Sequence, residues 1–225
     1  MAKLILVPTP VGNLEDITIR ALKTLETVDF ILAEDTRKSG ILLQHYNIKK
    51  TLLPYHKFNE HRTISRYIEK ILKCNQVALV TDAGTPSVSD PGYLLVKHCI
   101  EVNIHVECLP GATALIPALA VSGFPSDRFC FEGFLPQKKG RNKRLKALID
   151  EPRTIIFYES PYRIKKLIDE LILYFGEERY ASVSREISKI YEENIRADLA
   201  MLKNQFKNIT PKGEFVLVLE GNKIK

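Results

Sequence analysis

A chain of 225 residues, 45% of them apolar and 27% charged, is long enough to bury two α/β cores and has the balance of a globular protein. No apolar run approaches the roughly 18 residues that span a bilayer, and the start, "MAKLILVPTPVG", lacks a signal-peptide cleavage pattern, so a cytosolic protein is expected. The net charge of +6 fits a polyanionic partner without demanding one, while four cysteines with no CxxC pair and five scattered histidines give no metal-ligand spacing, so no metal is expected.

In chain order, short apolar runs alternate with amphipathic stretches, the pattern of βαβ units. "KLILV" predicts a first strand and "DITIRALKTLETV" a helix with Ile17, Ala21, Leu22, Leu25 and Val28 on one face. "DFILAED" predicts the next strand, followed by helices over "RKSGILLQHY" and "EHRTISRYIEKILKC", the strand "VALVT", a helix over "YLLVKHCIEV" and the strand "HVECLP". Such a series suits a mostly parallel sheet covered on both faces. After "PGATALIPALAVSGFP" strand-like pieces recur at "RFCFEGF", "TIIFYES", "RYASVSR" and "EFVLVLE", with helical stretches at "RNKRLKALID" and "PYRIKKLIDELILYF". The change of texture predicts two α/β domains, 1–116 with a mostly parallel sheet and 117–225 with a mixed one. No low-complexity linker or internal repeat separates them.

Ligands of open α/β sheets bind beyond the carboxyl ends of the strands, so the loops there are the candidates. Four are loaded with Pro, Gly, Ser, Thr and Asp: "PTPVGNLED", "AEDTRKSG", "TDAGTPSVSDPG" and "PGATA". Pro and Gly set the backbone where a ligand comes close, and the polar side chains offer hydrogen bonds. The same residues are good helix caps: Asn13 or Asp16, Asp35 or Thr36, and Asp90 before Pro91. Neither GxxxxGK[ST] nor a GxGxxG opening a helix is present, so a ligand gripped by its phosphates is not indicated.

"PTPVGNLEDIT", "AEDTR", "DAGTPSVSDPG", "PGATA", "FEGFLP" and "FYESPYR", in this order over nearly the whole chain, resemble the motifs of the bacterial ribosomal small subunit methyltransferase I family. These are 16S rRNA cytidine 2'-O-methyltransferases within the tetrapyrrole-methylase group, class III enzymes that use S-adenosylmethionine. The resemblance implies two α/β domains, the cofactor folded into the cleft between them, and a homodimer. It also implies that Pro10 and Val11, then Asp82, Gly84, Thr85, Pro86, Ser87 and Val88, then Gly111, Ala112, Thr113 and Ala114, line the cofactor, with Tyr158 and Glu159 as a wall from the second domain. Thr85 stands where tetrapyrrole enzymes commonly have Asp, which argues against a porphyrin-type substrate.

Methyl transfer from a sulfonium is an in-line displacement, and a ribose hydroxyl becomes a better nucleophile beside a base. Glu34 and Asp35 at a strand end are the candidate catalytic groups, with Arg37 placed to orient a phosphate or pair with a carboxylate; the competing expectation is that Asp35 caps a helix and Arg37 neutralises it. From Gln137 to Lys146 positive residues stand without a negative one, and Lys138, Lys139, Arg141, Lys143 and Arg144, extended by Arg163, are expected to contact RNA phosphates in the small ribosomal subunit. A solvated helix face is the alternative, and a small-molecule methyltransferase acting on a tetrapyrrole or corrinoid precursor is the alternative function. Many family members carry a further C-terminal segment after the position where this chain reads "GNKIK", so the basic run is expected to carry much of the RNA grip.

Overall fold

A computed structural model describes residues 2–222; Lys223 to Lys225, in the "GNKIK" end, lie outside the described residues. The chain divides into two compact units between Thr113 and Ala114.

The first unit is one sheet of five parallel strands, β1 (Lys3–Leu6), β2 (Phe30–Ala33), β3 (Leu52–Pro54), β4 (Gln76–Val80) and β5 (His105–Cys108), in the order β3-β2-β4-β1-β5. β1, β2 and β4 show little polar alternation because both faces are covered, whereas the edge strand β5 reads HVEC and is only partly buried. Leu4, Leu6, Phe30, Leu32, Val77 and Leu79 pack with Ile64, Ile68 and Ile71 of α3 (Glu60–Leu72) and Leu95 and Cys99 of α4 (Tyr93–Glu101). Ile5, Val7, Ile31, Ala33, Ala78 and Val80 pack with Ala21 and Leu25 of α1 (Ile19–Thr27) and Leu43 of α2 (Thr36–His45). Successive side chains leave a strand on opposite sides, so β1, β2 and β4 each feed both cores, at about 1.5–3 kcal/mol for each large apolar side chain fully buried.

Two differences from the sequence expectation have local causes. The first helix begins only at Ile19, because the Thr18 hydroxyl accepts the Ala21 N–H at 3.0 Å and Leu14–Asp16 forms a separate 3-10 turn, leaving Ile17 outside the helix. Strand β3 has no counterpart among the expected elements: it is three residues long, lies at the sheet edge and ends in Pro54, too short to show a period.

The second unit carries a mixed sheet in the order β6-β7-β10-β8-β9, from β6 (Phe129–Phe134), β7 (Thr154–Glu159), β8 (Tyr180–Arg185), β9 (Glu193–Asp198) and β10 (Phe215–Leu219). Only β6 and β7 run parallel; the other pairs are antiparallel. Ile155, Phe157, Phe215, Leu217 and Leu219 join one core with residues of α6 (Arg141–Ala147), α7 (Ile164–Phe175) and α8 (Leu199–Lys207), while α5 (Leu115–Ser122) packs against β8 and β10. α5, β9 and α8 are absent from the sequence expectation. "LIPALAVS" is apolar all round, and "ENIRAD" is a charged edge strand with no apolar run. α8 begins where Asp198 accepts the Met201 N–H at 2.7 Å.

Candidate active site and basic loop

The four loops at strand carboxyl ends are tied together in the first unit. Thr9 and Gly84 exchange backbone hydrogen bonds of 2.9 and 2.8 Å, and the Thr9 hydroxyl donates to the Thr81 carbonyl at 3.0 Å. The Thr85 hydroxyl donates to the Ala112 carbonyl at 3.0 Å. Gly84, at φ +82°, is tucked between Val11 and the Ala112 carbonyl, and a Cβ on Gly111 would stand 2.7 Å from the Pro8 ring. These glycines let backbone approach side chain and backbone of the neighbouring loops. Pro10, Val11, Gly84, Thr85, Gly111 and Ala112 are therefore brought together. Thr113 ends this unit.

The segment from Gly84 to Gly92 holds left-handed backbone at Ser87 (φ 72°) and Ser89 (φ 64°) as well as at the two glycines. Such residues cost about 1–3 kcal/mol each and persist at ligand clamps and switches. The Ser87 N–H donates to the Pro91 carbonyl at 3.2 Å and the Val88 N–H to the Thr85 carbonyl at 3.3 Å, closing the loop on itself around the buried Pro86. Its Ser87 hydroxyl is turned inward over Gly92 and is buried without a hydrogen-bond partner.

Beside this loop lie three carboxylates. Strand β2 ends at Ala33, so Glu34 and Asp35 stand beyond it. Asp35 is the N-cap of α2: its carboxylate accepts the Arg37 N–H at 2.9 Å and holds the Arg37 guanidinium through Nε at 3.0 Å and Nη2 at 2.7 Å. Those contacts pull its carboxyl far below the usual carboxylate range. Asp35 and Arg37 thus hold one another and the start of α2, the arrangement of the competing capping expectation. Glu34 is different. Partial burial raises its proton affinity, helped by the Asp82 charge, and its one hydrogen bond here is a long 3.4 Å contact from the Asp82 N–H. Asp82 accepts the Asp35 N–H at 3.1 Å and the Lys38 ammonium at 2.7 Å. Asp90 is pushed up to about 7 by burial and by the charges of Glu34 and Asp82. Sequence inspection missed Lys38 and read Asp90 only as a cap, because a carboxylate cluster drawn from three separated positions leaves no spacing to recognise.

In the second unit the Tyr158 hydroxyl accepts the Leu115 N–H at 3.1 Å, at the start of α5, which Ala114 caps, and its ring meets Phe131 and Phe134 edge-on. Glu159 is buried, accepting Arg163 Nε at 2.8 Å and its own neighbour's Ser160 N–H at 2.9 Å. The basic run is split by the fold. Lys138, Lys139, Lys143 and Lys146 are exposed. Arg141 is buried, with Nε 2.7 Å from Glu170 Oε2; Arg144 is held by Glu132 through two 2.5 Å contacts; Arg163 is held by Glu159. The buried Arg141 is out of reach of a phosphate, while Arg144 and Arg163 would meet one with only part of the guanidinium, the rest being held by Glu132 and Glu159. Phe134 remains half-exposed beside this loop.

A parallel sheet with strand-end loops carrying no phosphate grip, followed by a mixed-sheet unit, defines a class III methyltransferase fold, and the comparisons agree. The chain belongs to the Tetrapyrrole (Corrin/Porphyrin) Methylases, whose family model matches residues 3–203, and it is a methyltransferase that uses S-adenosylmethionine. Among individual proteins, it is 48% identical over 224 residues to the "Ribosomal RNA small subunit methyltransferase I" of Escherichia coli O157:H7, covering 98% of this chain and 78% of that one. It is 46% identical over 221 residues to the protein of the same name from Thermotoga maritima, covering 98% and 99%. Two solved structures share the fold: diphthine synthase, at a TM-score of 0.77, 15% identity and coverage of 100% and 92%, and uroporphyrin-III-C-methyltransferase from Thermus thermophilus, at 0.68, 20%, and 98% and 94%.

The described loops fit that cofactor on their own chemistry. The close approach of Gly84 and Gly111 to the neighbouring loops, the left-handed backbone at Ser87 and the unpartnered Ser87 hydroxyl gather backbone polar groups and a hydroxyl at the strand ends, a lining that suits the polar adenosyl and amino-acid parts of S-adenosylmethionine. Among the described residues no group of His, Cys, Asp and Glu is arranged to hold a metal ion, and no helix is long and apolar enough to cross a membrane.

Proposed function

We propose that the protein methylates the 2'-hydroxyl of a cytidine ribose in 16S rRNA of the small ribosomal subunit, working in the cytoplasm as a homodimer. The observation that carries it is the 46–48% identity over nearly the whole chain to relatives named Ribosomal RNA small subunit methyltransferase I. Charge supports it: residues 114–225 hold 20 of the 33 Lys and Arg but 15 of the 27 Asp and Glu, so nearly all the positive excess sits there.

Bound at the strand-end loops, S-adenosylmethionine supplies an electrophilic methyl on a sulfonium. Pro10, Val11, Asp82, Gly84 to Val88 and Gly111 to Thr113 are the residues of the first unit proposed to hold it. With that methyl as the electrophile, this chain's residues would orient the ribose hydroxyl toward it and take the hydroxyl proton on a carboxylate. Glu34 is proposed as that acceptor, because its proton affinity is raised and its carboxylate is the least committed of the strand-end pair. Lys138 and Lys139 are proposed as phosphate contacts.

The test offers purified, unmethylated small subunits and, separately, a small-molecule extract to the protein with methyl-labelled cofactor. Label in 2'-O-methylcytidine of 16S rRNA, found by nucleoside mass spectrometry, is expected. Label only in the small-molecule fraction would replace this function by that of a tetrapyrrole or corrinoid methylase.

A further inference from the structure

The buried arginine of the basic run has no place in direct phosphate contact. Arg141 opens α6, yet its side chain is only 3% exposed. Its Nε donates to Glu170 Oε2 at 2.7 Å and its Nη1 to the Pro136 carbonyl at 3.4 Å, while its Nη2 faces Glu159 Oε2 at 3.5 Å with no hydrogen bond made by either atom. Burying such charges costs several kcal/mol each, so the arrangement is weak evidence for stability and better evidence for a required geometry. The segment that Arg141 closes has little else to hold it. Leu135 enters the core, but Pro136 to Gly140 are exposed, α6 has no side-chain N-cap, and Gly140 turns the chain with φ at +93°.

Lys138 and Lys139 sit in the middle of that exposed segment, and among the described residues no carboxylate lies within ion-pair distance of either. The Arg141 N–H donates to the Lys138 carbonyl at 3.3 Å, so backbone and side chain of one residue link the lysines to the interior. Glu159 closes β7 and also takes Arg163, and Glu170 lies on α7, so the tie reaches two elements of the core.

We propose that Arg141 is a positioning residue for the RNA substrate: from inside the second unit it sets the Pro136–Gly140 loop so that Lys138 and Lys139 meet successive phosphates, without touching RNA itself. This rests on the reading of those lysines as phosphate contacts. Loop and tether then act as one device, and removing either should have the same effect on RNA and none on the cofactor.

The test compares Arg141→Met, Glu170→Gln, the pair Lys138→Ala with Lys139→Ala, and the triple combination, using unmethylated small subunits, calorimetric titration of S-adenosylmethionine and thermal unfolding. Arg141→Met is expected to raise the KM for subunits about as much as the lysine pair, and to flatten the log–log salt dependence by a similar amount, about 0.7–0.9 for each phosphate that is no longer neutralised. Its kcat at saturating subunit and its cofactor affinity should stay near the parent's. The triple variant should be no worse than the lysine pair, the non-additivity expected of residues acting through one another. Glu170→Gln, which removes one buried carboxylate and keeps the side chain's shape, should give the same KM effect in smaller degree and secures the test if Arg141→Met does not fold. Additive losses, or an unchanged KM in both Arg141→Met and Glu170→Gln while the lysine pair is impaired, would overturn the positioning role. An unimpaired lysine pair would overturn the phosphate reading and this role with it.

Discussion

Glu34 and Asp35 are neighbours in sequence with opposite chemistry, and the difference lies in what each touches. Asp35 accepts the first N–H groups of α2 and the Arg37 guanidinium, so its charge is stabilised and its capacity as a base is spent. Glu34, partly buried and near Asp82, has its charged form disfavoured, which makes it the better proton acceptor. Glu34→Gln is therefore expected to lower kcat about a hundredfold with S-adenosylmethionine binding retained, the lower end of general acid–base effects. Asp35→Asn, which keeps an N-capping side chain, should instead lower the unfolding midpoint only slightly, with most of the activity kept. Single-turnover rates and thermal unfolding of both variants decide the matter; a slow Asp35→Asn beside a fast Glu34→Gln would exchange the assignments.

At the scale of elements, the loop between β4 and α4 depends on its own backbone. Gly92 adopts φ +142° and leaves no room for a side chain, because a Cβ there would collide with Ser87 Oγ and stand 3.1 Å from Leu79 Cδ2. Gly92→Ala should thus destabilise by about 1–3 kcal/mol, the range for strain at a special backbone position, and weaken cofactor binding. Adding Ser87→Ala removes the colliding hydroxyl and should restore part of both, leaving the backbone strain and the tight approaches to Leu79 Cδ2 at 3.1 Å and to the Ser87 backbone N at 3.2 Å. Unfolding midpoints and calorimetry on the single and double variants are the check, and a double variant with simply summed losses would show that the two residues do not meet as described.

The molecule as a whole carries the electrostatic cost of its carboxylate cluster. Asp90 holds its proton in the folded protein up to about pH 7 but releases it near 3.8 in the unfolded chain. The folded state binds more protons in that window, so the stability this group contributes is full below about pH 4 and is lost as pH rises through 7. Asp90→Asn should remove that loss, making the variant more stable than the parent at pH 8 by on the order of 2 kcal/mol, with little difference at pH 4. Denaturant unfolding at the two pH values tests this, and a variant less stable than the parent at pH 8 would contradict it. Glu34 works in the same direction, whereas Asp35 acts only at lower pH, so the window is set by the raised pair.

The βαβ order of the first unit was legible in the chain because fully buried parallel strands are bare apolar runs, "LIL", "FILA" and "VALV", each ending in a loop of Pro, Gly and Asp. The family motifs were legible for the same reason: they are those loops, local in sequence. What lay outside local sequence was decided only in three dimensions. Strand β3 and strand β9 exist because a sheet edge accepts them, and α5 because two strands cover an apolar segment without a helical period. Arg141 reads as one of six exposed cations, yet Glu159 and Glu170, 18 and 29 residues further along, draw it inside. The meeting of Glu34, Asp82 and Asp90 has the same origin. Local sequence determines which residues can end a strand or cap a helix; burial and charge pairing depend on neighbours that only the packed chain brings within a few ångströms.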